Sequence, residues 1–143
     1  MGISLEHIDM AGVRYVVLIS DVHLGCRNAS IEWLDNITVY MRDFFVPLVR
    51  RTAAKGRTAV IVAGDWYDNR LSIDINVMNR GMDLMRDIAS AAPVYMITGN
   101  HDVYKKNGND VNSIRYLGLL DGVTVVENPA VMDFDRMKFL LYP

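Results

Sequence analysis

The run TAVIVAGDWYDNR, Thr58 to Arg70, passes directly from six apolar or β-branched residues into a polar cluster headed by Gly64-Asp65. Alternating apolar and polar residues would mark a strand with one wet face; an unbroken apolar run marks a strand covered on both. Two more stretches have the same form: residues 14–19 (RYVVLI) lead into SDVHLG, and residues 94–98 (VYMIT) lead into GNHD. Buried strands of this kind are parallel, and parallel neighbours need long crossovers.

The crossovers read as helices. In residues 30–55, Leu34, Ile37, Met41, Phe44, Phe45 and Leu48 recur at helical spacing and Gly56 supplies a stop. Pro47 lacks a backbone donor and predicts a kink around residues 43–47. A second helix is expected over 72–91, with Ile75, Met78, Met82 and Met85 on one side and Gly81 as a weak point. A third, shorter helix is expected over 109–120. Asp121-Gly122 then turns the chain into a strand at 123–126, and runs at 130–134 and 137–142 flank a tight Asp135-Arg136 segment. Residues 3–10 suggest an extra edge strand. The order strand, helix, strand, helix, strand is that of an α/β sandwich.

Composition narrows the function classes. The 143 residues suit one domain and are 51% hydrophobic and 22% charged, with a net charge of -2. There is no overall basic excess of the kind that marks many nucleic-acid binders. The single cysteine, Cys26, excludes an internal disulfide and suits a reducing compartment, so a cytoplasmic location is expected. No apolar stretch approaches the roughly 18 residues of a membrane span, and no membrane partner is expected.

Loops leaving the carboxyl ends of parallel strands face one crevice. Asp21, His23, Asp65, Asp68, Asn100, His101 and Asp102 are therefore expected together, and so many acceptors repel one another unless a cation lies among them. Asp21 and His23 are two apart, which in an extended strand end sends both side chains to one side. Asp65 follows a glycine that permits close backbone approach, and its two oxygens can bridge two ions. Asn100 offers an amide oxygen suited to Mn or Mg, and the mixed imidazole and carboxylate donors favour Mn, Fe or Zn over Ca.

Each motif alone has an ordinary explanation: a loop D-x-H, a Gly-Asp turn, an N-cap Asn before an exposed His. Their recurrence at three consecutive strand ends favours a metal site. His7, without companions, reads as structural or solvent-facing, and Cys26 as a small buried residue. Met78, Met82 and Met85 read as core or interface filler. Arg50, Arg51, Lys55 and Arg57 read as the solvated end of a helix.

Asp21-Val22-His23, Gly64-Asp65-Trp66-Tyr67-Asp68 and Gly99-Asn100-His101-Asp102 together resemble the calcineurin-like metallophosphoesterases, whose pattern is D-x-H, G-D-x-x-D, G-N-H-D/E. Within that family SDVHLG, GDWYDNR, GNHD and MDFDRMKFLLYP look most like the Mre/SbcD-type nuclease subunit, in particular its shorter phage recombination endonuclease version. The resemblance implies a partial α/β sandwich of the metallophosphoesterase type. It further implies a dinuclear divalent-metal site, with Mn the expected ion, that hydrolyses the phosphodiesters of DNA in recombination or repair.

Asp21 and His23 would hold the first ion, Asp65 would bridge, and Asn100 would hold the second. His101 would be catalytic, protonating the leaving oxygen, with Asp68 hydrogen-bonded behind it. The resemblance also implies a homodimer, through the second and third helices with Met78, Met82, Met85, Ile114 and Leu117, and an ATPase partner. The family pattern continues with another histidine and a G-H-x-H motif, but no histidine follows His101. Residues 1–143 are therefore expected to be the N-terminal portion of one metallophosphoesterase domain, truncated and inactive alone. A phosphomonoesterase or small-molecule phosphodiesterase of the same superfamily, and a non-catalytic half-site scaffold or dimerisation module, are the alternatives.

Overall fold

The computed structural model describes residues 5–105 and 107–143. Strand β3 (Thr58–Ala63) explains its own sequence: Val60 and Val62 enter one core while Ala59 and Ile61 enter another, so the four positions from Ala59 to Val62 are all apolar. It lies inside a parallel four-stranded sheet, between β2 (Tyr15–Ile19) on one side and β4 (Val94–Ile97), then β7 (Val123–Val126), on the other. Strands stepping in one direction through crossovers of the usual right hand place their connections on one face. The helices accordingly cover one face of this sheet.

Against the other face packs a second sheet, in the order β1 (Glu6–Asp9), β8 (Ala130–Asp133) and β9 (Lys138–Leu141). Met132, Ala130, Leu141 and Phe134 meet Ala59, Ile61 and Val126 between the sheets. The expected edge strand near the N-terminus is β1, paired parallel with β8, and Ile3 and Ser4 of that expectation lie outside the described residues. The runs flanking Asp135-Arg136 form the antiparallel pair β8–β9. Strand β2 differs from the expectation of full burial. It pairs with β3 alone among the described residues, and Leu18 is 62% exposed, because an edge strand has one covering neighbour.

After the short turn α1 (Cys26–Ala29), α2 (Ile31–Tyr40) runs through a π-helical turn at Met41–Phe45 into α3 (Val46–Ala53). The kink expected at Pro47 takes this form. A proline ring collides with the carbonyl four residues back, and widening the preceding turn relieves it, with Val46 N–H donating to Met41 O. In α4 (Ile75–Ala89) the buried stripe is Val77, Gly81, Leu84, Met85 and Ile88, while Ile75 is 73% exposed and Met78 and Met82 half-buried, so of the expected side only Met85 reaches the centre of the packed face. Met85, Ile114 and Leu117 are wholly buried in this chain and are not free to form the expected dimer face.

The third helix is not formed. Residues 109–112 instead complete β6 (Gly108–Asn112), which pairs antiparallel with the preceding β5 (Val103–Lys105), and a 3-10 turn follows at Arg115–Leu119. Asn107-Gly108 is a strong hairpin dipeptide, and the Asn- and Gly-rich stretch is poor in helix formers. Among the described residues no helix is long and apolar enough to cross a membrane.

Gly81 is required by packing. A Cβ there would lie 2.4 Å from the Tyr67 hydroxyl, which also reaches the Met78 carbonyl and hydrogen-bonds with Tyr116. Gly81→Ala should therefore destabilise the fold by about 1–3 kcal/mol, despite a propensity gain of about 1 kcal/mol, read as a lower urea midpoint.

Candidate metal centre

The loops after β2, β3 and β4 meet, as parallel strands require. Strand-like pairing continues past β2 and β3: Asp21 N–H donates to Gly64 O, His23 N–H to Asp65 O at 3.0 Å, and Leu24 N–H to Trp66 O at 2.9 Å. The third loop is pressed onto the second where two glycines touch. A Cβ on Gly64 would lie 2.8 Å from Gly99 Cα, and one on Gly99 would lie 2.1 Å from Asp65 Oδ1. His101 N–H then donates to Asp65 Oδ1 at 2.9 Å.

Asp102 is not an acceptor facing the crevice, as the sequence suggested, but a wholly buried staple. Its carboxylate accepts from the amides of Asp65 at 2.7 Å, Gly99 at 2.9 Å, Trp66 at 3.1 Å and Tyr67 at 3.3 Å. Burial pushes its pKa up, and the amides of Gly99, Tyr67 and Asp65 pull against that. Four converging N–H groups need an acceptor, and this carboxylate provides it.

Around this frame the remaining side chains converge. His23 Nε2 lies 3.7 Å from both Asp21 Oδ1 and Asp65 Oδ2. Two ligands of one ion at about 2.1 Å are roughly 3.0–3.6 Å apart at right-angled to trigonal openings, so the three donors are close to a ligand set. The other Asp21 oxygen accepts from the Ser20 hydroxyl, which leaves Oδ1 toward His23. The means of convergence differs from the strand-pleat argument. Asp21, His23 and Asp65 have φ of 56°, 49° and 53°, so left-handed backbone beyond the strand ends turns them inward. Non-glycine residues hold such angles at a cost, one met most often at functional sites.

His101 stacks edge-on against His23 at 4.8 Å, and with Asp68 these two histidines form a second cluster of donors. Asp68 does not support His101 through its carboxylate, as expected. That carboxylate lies 3.1 Å from His23 Nδ1, and the backbone carbonyl of Asp68 faces His101 Nδ1. A carbonyl only accepts, so Nδ1 of His101 carries the proton and Nε2 is its exchangeable atom. Asn100 is exposed and shares a cleft with Asp68, Arg70 and His101. His7 is exposed and Cys26 half-buried, and neither belongs to the donor clusters, although the Cys26 amide donates to the His23 carbonyl.

The donor set fits a divalent cation. Asp65 is nearly buried and His23 half-buried, no Lys or Arg side chain pairs with Asp21, Asp65 or Asp68 among the described residues, and the His23 imidazole stands among the three carboxylates.

A family model described as calcineurin-like phosphoesterase matches residues 15–139. No curated protein matches the chain. The crystal structure of Pseudomonas putida nuclease MPE is similar at 21% identity and a TM-score of 0.45, covering 78% of this chain and 46% of that chain. The chain thus spans less than half the length of that nuclease.

Proposed function

The chain belongs to the calcineurin-like phosphoesterase family, and we propose that it forms the first-ion and leaving-group half of a metal-dependent phosphodiesterase acting on DNA. The observation that carries this reading is the placement of His23 Nε2 3.7 Å from Asp21 Oδ1 and from Asp65 Oδ2, beside His101. Asp21, His23 and Asp65 would hold the first ion. Asp65 with Asn100 would contribute to a second, whose other ligands we place outside these 143 residues. Bound there, the ions would supply Lewis-acid activation of water and charge neutralisation on the phosphoryl group.

The chain's own groups do the rest. His101, its Nδ1–H fixed by the Asp68 carbonyl, presents Nε2 to the cleft, where in protonated form it donates to the leaving oxygen. Asp65 Oδ1 holds the His101 amide and so fixes imidazole and ligands relative to each other. DNA as the ester, Mn as the ion, and a second copy and an ATPase as partners are supported by the likeness of SDVHLG, GDWYDNR and GNHD to nuclease subunits. Parallel assays of plasmid DNA, bis-nitrophenyl phosphate and nitrophenyl phosphate with Mn test the substrate. Cleavage of both diesters is expected, and turnover of the monoester alone would favour the phosphomonoesterase alternative.

In protein carrying the further ligands, His101→Asn should keep full metal uptake while turnover falls about 10²-fold or more. Asp68→Ala should leave the orientation of His101 intact, because the carbonyl and not the carboxylate holds it. Loss of metal on His101→Asn would contradict these roles.

A further inference from the structure

His23, Asp68 and His101 form a cluster of donors that differs in kind from the set assigned to the first ion. Each of the three offers a donor atom within 4.8 Å of the other two. They bring two imidazoles and one carboxylate, where Asp21, His23 and Asp65 bring two carboxylates and one imidazole. Oxygen-rich sets suit Mn and Mg. Two histidines and a carboxylate suit Zn, with water in the fourth place.

The contacts inside the cluster leave room for an ion. His23 Nδ1 is shielded from solvent and lies 3.1 Å from Asp68 Oδ1, yet it makes no hydrogen bond. Buried polar nitrogens are rarely left in that condition. A separation of 3.1 Å falls within the roughly 3.0–3.6 Å expected of two ligands on one ion. Arg70 lines the same open cleft as Asp68 and His101, but the Arg and Lys ion pairs among the described residues do not engage Asp68, so its charge is not neutralised by a side-chain cation.

His23 belongs to both sets through different nitrogens, Nε2 facing Asp21 and Asp65 and Nδ1 facing Asp68. A neutral imidazole has one lone pair and one N–H. Coordination through Nδ1 therefore places the proton on Nε2 and closes the first set.

We propose that His23, Asp68 and His101 form an inhibitory zinc site, filled in competition with the Mn ion of the first set. Zinc there also occupies His101, the proposed proton donor. The competition rests on the metal reading above, whereas the zinc ligands stand on their own geometry.

Calorimetric titration of the chain with zinc chloride, alone and with Mn whose EPR signal is followed, tests it. Zinc should bind at one ion per chain and displace Mn. His101→Asn should weaken zinc at least about 100-fold and leave Mn uptake as it was, and Asp68→Asn should weaken zinc as strongly. Asp21→Asn should do the reverse, weakening Mn and sparing zinc. Cys26→Ser should change neither, because Cys26 lies outside the cluster. Zinc affinity that survives His101→Asn, or that falls with Asp21→Asn or Cys26→Ser, overturns the proposal, as does zinc binding that leaves Mn in place. The expected zinc pattern in a chain that takes up no Mn at all would overturn the first-ion reading and support the zinc site.

Discussion

Asp102→Ala should lower stability by about 3 kcal/mol or more and abolish metal binding, although Asp102 touches no ion. The substitution strands the buried amides of Asp65, Trp66 and Tyr67 and the partly buried amide of Gly99. A single buried donor left without a partner costs about 1–3 kcal/mol, and four sharing one acceptor cannot all find replacements. The loop carrying Asp65 then loses its tie to the loop carrying His101. Urea denaturation with parallel Mn titration measures both effects.

Asp102→Asn is the informative companion, because it keeps one carbonyl oxygen but turns an NH₂ toward N–H donors. It should fall between wild type and alanine. The carboxylate is kept for these donors and not for its charge. With its folded pKa above the unfolded value, Asp102 holds its proton more firmly in the folded state, so its titration contributes less stability as pH rises above the ordinary aspartate range.

Much of the frame was legible in the sequence, for identifiable reasons. The unbroken apolar run of β3 reported burial on two faces, and the polar clusters after β2, β3 and β4 reported their shared edge, because parallel topology leaves those loops no other place. Asp21, His23 and Asp65 were identified as a group, and the structure brings them together.

What escaped was set by contacts between distant residues. Nothing in GNHD distinguishes a carboxylate that faces a crevice from one turned back to gather amides 35 to 37 residues away. The two-residue spacing of Asp21 and His23 gave the right pairing by the wrong geometry, since left-handed φ values replace the strand pleat there. Gly99 gave no sign that Asp65 Oδ1 would fill the space of its missing side chain. The hairpin at 103–112 was masked by apolar residues at near-helical intervals, although Asn107-Gly108 was the signal that could have found it.

Asp65→Ala carries the second large effect. Asp65 offers one oxygen toward His23 and holds the His101 amide with the other, so under the proposed assignment its loss would remove a ligand and release the loop of His101 together. Asp21, which is 67% exposed, and His23 would remain as two donors with water around them, too few to hold a dication against dehydration. Metal affinity should fall at least about 100-fold, the upper range for damage to a metal site's supporting shell and a lower bound for a ligand. Stability without metal should change little, because relief of a nearly buried carboxylate that has no Lys or Arg partner among the described residues offsets the loss of the His101 amide's acceptor.

The most direct measurement is therefore a count of manganese bound per chain at equilibrium, taken side by side for the wild-type chain and Asp65→Ala, with DNA cleavage assayed in the same samples. One weakly held ion is expected in the wild type, none in Asp65→Ala, and no cleavage by these 143 residues alone. Unchanged manganese binding in Asp65→Ala would contradict the assignment of the site. Two tightly held ions in the wild type, or cleavage that Asp65→Ala abolishes, would show that the chain already contains the second ion's ligands.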